Sequence, residues 1–503
     1  MKRRDFCKAL VCSAALAPGL ALPRAEAAAK SQTVGRAVPA GNYTMSFRSE
    51  LSQMDIEHEY YYSDSFFAHT SVQYDHQLAL ATLGMVTAAF NTWASDAKYW
   101  ANGDVGRYYD VDVGKAGDFV GWSTARKTII LNGKRTTIVA LILRGGGYGG
   151  EWVSNLHTGT GHAHSGFIIP VHEVFADLKN YLAAARQKGE LGVVKLWMGG
   201  YSRGAAVANL LAARVNKELP GLERENVFVY TFATPVALGP QDYPNLQQDY
   251  DNNHNADGSL KESWGESNIF NIISSGDIVP HLLPEEWSFH RNGNDRFLPS
   301  TRNEEELEDL NEMGKNDFGP TPLDFSWLAT DKETDEVMLR MEEYFISREN
   351  YHEKYEAALM DMTQCAFIRS EEEVTQNKVL DDGEVIQRLR TLTHLKNMDY
   401  WKISRAVWAA STMSRAVLKR VDAENIPIRA QQIVVPILAV GLCYDLESEA
   451  VSLIAKYILM FVAMKSAPDD AIRAAFCHHC ENYIALMEYY APSEHCMEAT
   501  TRT

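Results

Sequence analysis

The stretch Val193-Val194-Lys195-Leu196-Trp197-Met198-Gly199-Gly200-Tyr201-Ser202-Arg203-Gly204-Ala205-Ala206-Val207-Ala208-Asn209-Leu210-Leu211-Ala212 decides how this chain is read. Residues 193–198 are apolar apart from one lysine and predict a short buried strand; 202–215 are rich in alanine and predict a helix. Between them stands Gly200-Tyr201-Ser202-Arg203-Gly204, a G-x-S-x-G sequence. Alone, five such residues would be a tight turn. With a strand before and a helix after, the turn lifts the serine oxygen above the end of a sheet, and the glycines let neighbouring backbone come close. The N-terminus of the following helix favours negative charge developing there. Ser202 is therefore the candidate nucleophile, and the N–H of Arg203 immediately after it a candidate oxyanion donor.

Working outward, the pattern stays that of strands alternating with helices. Segments 128–131 and 137–143 are strand-like and are separated by Asn132-Gly133, a hairpin turn pair. Residues 171–186 form an amphipathic helix, 227–233 and 269–274 two further strands, and 295–298 a possible last strand. Upstream, 77–90 is one buried helix, whereas 30–60 is polar and expected to be loosely ordered. The fold class is α/β: a mostly parallel sheet with helices on both faces. A polar insertion spans 239–267, and beyond Pro299 the period is helical almost to Tyr490.

Two further groups fit acyl transfer. The strand 138–143 runs into Arg144-Gly145-Gly146-Gly147, a glycine-rich loop placed to supply a second oxyanion donor. The strand 269–275 ends in Gly276-Asp277-Ile278-Val279-Pro280, where Asp277 is either a buried acid or a plain turn former.

At these residues the chain resembles the class 3 (fungal-type) lipases, an α/β-hydrolase family. Four blocks carry the likeness in the family's order: Arg144-Gly145 with Glu151-Trp152, then His164-Ser165-Gly166-Phe167, then the Ser202 turn, then Gly276-Asp277-Ile278-Val279-Pro280. The likeness covers about 137–298, a third of the chain. It implies Ser202 as nucleophile, Asp277 as acid, and Gly146 and Arg203 as backbone donors of the oxyanion hole. Two positions depart from the family: Arg203 replaces a bulky aliphatic residue, and Gly146 replaces a hydroxyl residue. The resemblance also implies a short apolar lid, but 155–165 is polar and glycine-rich, so the helical block is expected to cover the site instead.

The order serine, acid, histidine places the base after Asp277. His281 is four residues past the acid, with no room for a strand between; His290 precedes the last strand; His394 sits in unbroken helical pattern; His495 is in the tail. Two options remain, His352 and His478, each followed by an aromatic and a helix. His478, with His479 beside it, fits the H-x-x-E-x-Y-x-A-L spacing through Glu481, Tyr483, Ala485 and Leu486, which the resemblance associates with bacterial members. It also precedes the last helix, so the reading takes His478, with His352 as the alternative. Cys477, Cys480, His478, His479, His495 and Cys496 could instead be zinc ligands, but there is one C-x-x-C and no second pair with finger spacing. The segment 253–258 has a faint calcium-loop look, with Trp264 where the twelfth ligand belongs.

The organisation expected is a signal peptide at 1–27, an N-terminal segment with one buried helix at 28–100, an α/β-hydrolase core at 101–298, a helical insertion or cap at 299–475, and a final core helix and tail at 476–503. The chain starts Met-Lys-Arg-Arg-Asp-Phe-Cys-Lys, continues through an apolar run 9–22 and reaches Ala25-Glu26-Ala27. Those three parts make a secretory signal, and Arg3-Arg4-x-Phe6-x-Lys8 resembles a twin-arginine export motif, which names the export machinery as a partner. Five cysteines would remain after cleavage, an odd number and not a disulfide framework. The formal net charge of −18 gives no footprint for nucleic acid. Segment 77–95 is too polar to span a bilayer, and 430–444 too short and broken by Pro436. The function expected is an exported serine ester hydrolase acting on an acyl ester or lipid, with no cofactor. A phospholipase on the same residues and a catalytically silent binding protein on the same fold are the alternatives.

Overall fold

The computed structural model describes residues 34–49, 55–89, 105–116, 120–145, 163–238, 266–281, 289–318, 324–344, 470, 473–474, 476–496 and 500–501. The expected signal peptide, Gly146, the 253–258 segment, His352 and most of the helical block lie outside the described residues.

Strands β1 (Gly41–Arg48) and β2 (Asp55–Tyr62) pair antiparallel, with Gly41 opposite Tyr62 and Arg48 opposite Asp55. This corrects the expectation of loose order over 41–48 and 55–60. β2 alternates exposed and buried along its length, and Tyr43, Met45, Phe47, Ile56, Tyr60 and Tyr62 are all buried. The period of two is present, but the inward set includes His58 and tyrosine hydroxyls, and the outward set Glu57 and Glu59. Composition therefore reads as polar where periodicity reads as strand. Helix α1 (His76–Ala89) follows, buried on every side from Leu78 to Ala89, as an apolar helix without a polar stripe must be.

Seven strands make the main sheet in sequence order: β3 (Asp110–Ala116), β4 (Gly121–Leu131), β5 (Lys134–Leu143), β6 (Val193–Tyr201), β7 (Val227–Phe232), β8 (Ile269–Ser274) and β9 (Asn294–Leu298). The first three are antiparallel and the rest run parallel to β5. Asn132 and Gly133, at φ 49° and 74°, make the two-residue turn that pairs Leu131 with Lys134. Helices α2 (Ser165–Gln187) and α3 (Arg203–Glu218) cover one face. β5 shows why such a strand reads as an unbroken apolar run: Val139, Leu141 and Leu143 pack under α2 and α3, while Ile138, Ala140 and Ile142 face the opposite layer with α1. This is the α/β-hydrolase fold, with β6 at the centre of the sheet. After β9 come α4 (Glu304–Asp317), opened by an Asn303–Glu306 capping box, α5 (Asp331–Tyr344) and, past the undescribed segment, α6 (Cys480–Tyr489). α6 lies against α1 and α4. Among the described residues no helix is long and apolar enough to cross a membrane.

β4 begins seven residues before the expected 128, and β3 was not expected at all. The reason is polar side chains satisfied by distant partners. Trp122 donates to Asp177 at 3.0 Å, and Arg126 to Glu190 at 2.7 Å. Lys127 is buried against Asp64, which also accepts from the Val38 N–H at 2.8 Å and from the Tyr62 hydroxyl at 3.0 Å. Burial pulls the Lys127 ammonium down to about 8, and the Asp64 carboxylate opposes it. This pair ties the N-terminal hairpin to β4. Asp64→Ala leaves a buried cation without its partner and should cost about 3–5 kcal/mol. Asp64→Ala with Lys127→Met should recover most of that loss. Denaturant melts of the two variants check it; equal losses would mean the ion pair is not what holds this junction.

Candidate active site

β5, β6, β7 and β8 run in one direction, so their C-terminal ends share one edge of the sheet, where sites of open α/β sheets form. β6 ends at Tyr201, and Ser202 follows at φ 52° and ψ −121°. That is a strained conformation for a residue with a side chain, costing on the order of 1–3 kcal/mol. The turn is held by the Ser202 N–H donating to the Phe232 carbonyl at 2.9 Å, and by the Ser202 carbonyl accepting from Ala205 and Ala206 at 2.9 and 3.1 Å. The flanking glycines are required by close backbone. A Cβ on Gly200 would strike the carbonyl of Gly204, and one on Gly204 the carbonyls of Arg144 and, at 2.7 Å, Leu143. The end of β5 and the start of α3 are thus pressed together, which sets the Arg144-Gly145 backbone beside the serine turn.

Asp277 lies three residues beyond β8 and is fully buried. Its Oδ1 accepts from the Val279 N–H at 2.9 Å. Its Oδ2 is 2.8 Å from His478 Nδ1 and accepts from the Tyr483 hydroxyl at 2.7 Å. His478 Nε2 is 2.8 Å from Ser202 Oγ. The structure therefore brings Ser202, His478 and Asp277 into one hydrogen-bonded line, across 276 and 201 residues of sequence. The side chain of Asp277 has no exposure and that of His478 18%, so the line runs outward from the interior to the half-buried Ser202. His281 sits in the turn just after Asp277, and burial lowers it to about 4.

Arg203 is the first residue of α3, where backbone N–H groups have no partner within the helix. Its side chain is buried, donates to the Gly166 carbonyl at 2.9 Å and stacks 5.3 Å over the Phe167 ring. Phe167 in turn stacks on His164 at 4.1 Å. The Arg203 departure thus has a structural meaning: its guanidinium joins the serine turn to the His164-Ser165-Gly166-Phe167 block. The metal reading has no counterpart among the described residues, where no group of three His, Cys, Asp or Glu side chains is arranged to hold an ion. Cys477 Sγ faces the Ala329 carbonyl at 3.7 Å, and Cys496 Sγ the Ser275 hydroxyl at 3.1 Å. Tyr483 was missed as a site residue, because a tyrosine on an apolar helix face reads as core; only its place in the H-x-x-E-x-Y spacing marked it.

The segment 144–287, which carries the serine turn and Asp277, matches the model of the class 3 lipases. Residues 144–287 belong to the class 3 lipase family. The chain is accordingly a lipase-like ester hydrolase. Three solved fungal lipases are similar in structure. The Rhizomucor miehei lipase–propeptide complex is 19% identical, with 44% of this chain and 67% of that one covered and a TM-score of 0.31. Lipase II from Rhizopus niveus is 13% identical, with 44% and 79% covered and a TM-score of 0.30. The Rhizopus microsporus var. chinensis lipase is 13% identical, with 45% and 76% covered and a TM-score of 0.31. No curated relative matches the chain by sequence. The lipase turn can be tested through its glycines. Gly204→Ala should cost about 1–3 kcal/mol, because only backbone could move aside, and should cut turnover sharply by displacing Ser202. Gly133→Ala is the control: it sits at φ 74° in open space and should lose stability with turnover intact. Equal turnover in both variants would sink the account of the elbow.

Proposed function

We propose that this chain is an exported serine ester hydrolase in which Ser202, His478 and Asp277 act as a triad. The observation that carries the reading is the hydrogen-bonded line from Asp277 Oδ2 through both nitrogens of His478 to Ser202 Oγ. In this mechanism Ser202 Oγ attacks the ester carbonyl and His478 Nε2 takes its proton. Asp277 holds the ring in the tautomer that leaves Nε2 free to accept, and stabilises the imidazolium that forms. The tetrahedral oxyanion is received by the N–H groups of Arg203 and Gly146. His478 returns its proton to the leaving alcohol, and water, activated by the same imidazole, releases the acid from the acyl-enzyme. No step needs a cofactor. The substrate class is an acyl ester of glycerol or a similar alcohol, supported by the lipase family match. The described part of the segment after β9 reaches the neighbourhood of the site: the Thr334 hydroxyl donates to the Gly276 carbonyl at 2.9 Å, beside Asp277.

Ser202→Ala and His478→Ala should each lower kcat by at least about 10⁴-fold, and the double variant should lose no more, because members of one triad fail as a unit. Asp277→Asn should lose about 10⁴-fold with the fold intact. His352→Ala should keep most of the activity. The measurements are steady-state hydrolysis of a short-chain ester and labelling by a fluorophosphonate. An active His478→Ala with an inactive His352→Ala would move the base.

Export by the twin-arginine route is part of the same proposal, supported by Arg3-Arg4 ahead of the apolar run and Ala25-Glu26-Ala27. Replacing Arg3 and Arg4 with lysine should leave full-length precursor inside the cell. Normal amounts of processed protein outside would refute that route.

A further inference from the structure

Two buried phenols stand behind the Ser202–His478–Asp277 line. The Tyr483 hydroxyl accepts from the Ser274 N–H at 3.1 Å and donates to Asp277 Oδ2 at 2.7 Å. Its one proton therefore goes to the same oxygen that faces His478 Nδ1. The Tyr201 hydroxyl donates to the backbone carbonyl of His478 at 2.9 Å. The Tyr201 ring lies 5.7 Å from the imidazole and 5.5 Å, edge to face, from the Tyr483 ring. Tyr201 directly precedes Ser202, so the strand that presents the serine also grips the backbone of the histidine. Burial pushes both phenols well above the ordinary tyrosine range, so each keeps its proton and remains a donor.

We propose that Tyr201 and Tyr483 are positioning residues of this site, Tyr201 for His478 and Tyr483 for Asp277, and that the Tyr483 hydroxyl sets how strongly Asp277 holds a proton on His478. The proposal rests on the triad reading above. Its physical basis is competition at one oxygen. A carboxylate oxygen that receives a phenol O–H has part of its charge already compensated. It then stabilises the imidazolium less than a carboxylate facing His478 alone. Without the phenol, the imidazolium gains and His478 gives up its proton at higher pH.

The surroundings allow that shift to be assigned. Asp277 is faced by His281 in its own turn, by Tyr201 from β6, and by Cys477 and Tyr483. Burial lowers His281 to about 4 and pushes the Cys477 thiol up to about 12. None of these neighbours changes charge where an ordinary imidazole titrates. Beyond them lie Glu481 behind Tyr201, and Arg302 and Arg473 behind Cys477, unaltered in every variant below.

The test is kcat/KM on a soluble p-nitrophenyl ester from about pH 5 to 9, whose acid limb reports the free enzyme's base. Tyr483→Phe should move that limb up by about half a unit or more and lower plateau kcat. Tyr201→Phe should leave the limb in place and lower kcat several-fold at unchanged KM. A purely structural role for Tyr483 would lower activity at every pH without moving the limb, and that result, or a downward shift, overturns the proposal. Wild-type kcat in Tyr201→Phe overturns its half. Tyr483→Phe also strips a partner from the Ser274 N–H, so folding is checked by calorimetry. Should it not fold, 3-fluorotyrosine placed at 483 keeps the hydroxyl and donates more strongly; the limb must then move down, and an unmoved limb overturns the proposal. Ser202→Ala separates the two levels. Turnover within about tenfold of wild type there overturns the triad reading and this proposal with it. An inert Ser202→Ala beside an unmoved Tyr483→Phe limb overturns this proposal alone.

Discussion

A serine held at φ 52° at the end of the central strand is the constraint around which the rest is arranged. That conformation costs energy, so neighbouring backbone has to over-determine it. It does so from three directions: β7 accepts the serine N–H, α3 takes its carbonyl, and the end of β5 presses on Gly204. The same crowding brings the backbone after β5 to the serine. The close approach of Gly204 to the Leu143 and Arg144 carbonyls thus links the presentation of Oγ to the backbone that leaves β5.

The other half of the site comes from the far end of the chain. α6 carries Tyr483 and begins two residues after His478, and it is anchored to elements that precede the main sheet. Glu481 accepts from Ser49, His76 Nε2 meets the Met487 carbonyl at 2.9 Å, and His58 stands 3.6 Å from Glu488. The N-terminal hairpin is anchored in turn by Asp64 and Lys127. The hairpin is therefore part of the support of the histidine. A sequence scan that sees only polar residues there passes over its role.

Legibility in the sequence followed the range of the interactions involved. The serine turn, the Asn132-Gly133 hairpin and the parallel strands were readable because each is specified within a few residues, by glycine placement or by unbroken apolar runs. Lys127, Arg126 and Trp122 kept the first seven residues of β4 from reading as strand, since their partners are Asp64, Glu190 and Asp177, 63, 64 and 55 residues away. β1 and β2 had the right period but the wrong composition, because a half-buried hairpin can turn tyrosine and histidine inward and carboxylates outward.

By itself the sequence determined the local arrangement: a glycine-flanked serine turn on a strand–helix junction, an aspartate after a later strand, and a glycine-rich loop after an earlier one. It also narrowed the histidine to two, through order along the chain and the pattern of following residues. Which imidazole stands 2.8 Å from Ser202 was decided only by the tertiary structure, as was the second donor on Asp277. The physical reason is that a hydrogen bond depends on position in space to a few tenths of an ångström. Across 276 residues that position is set by the packing of α6 against α1 and the hairpin, which no local pattern encodes.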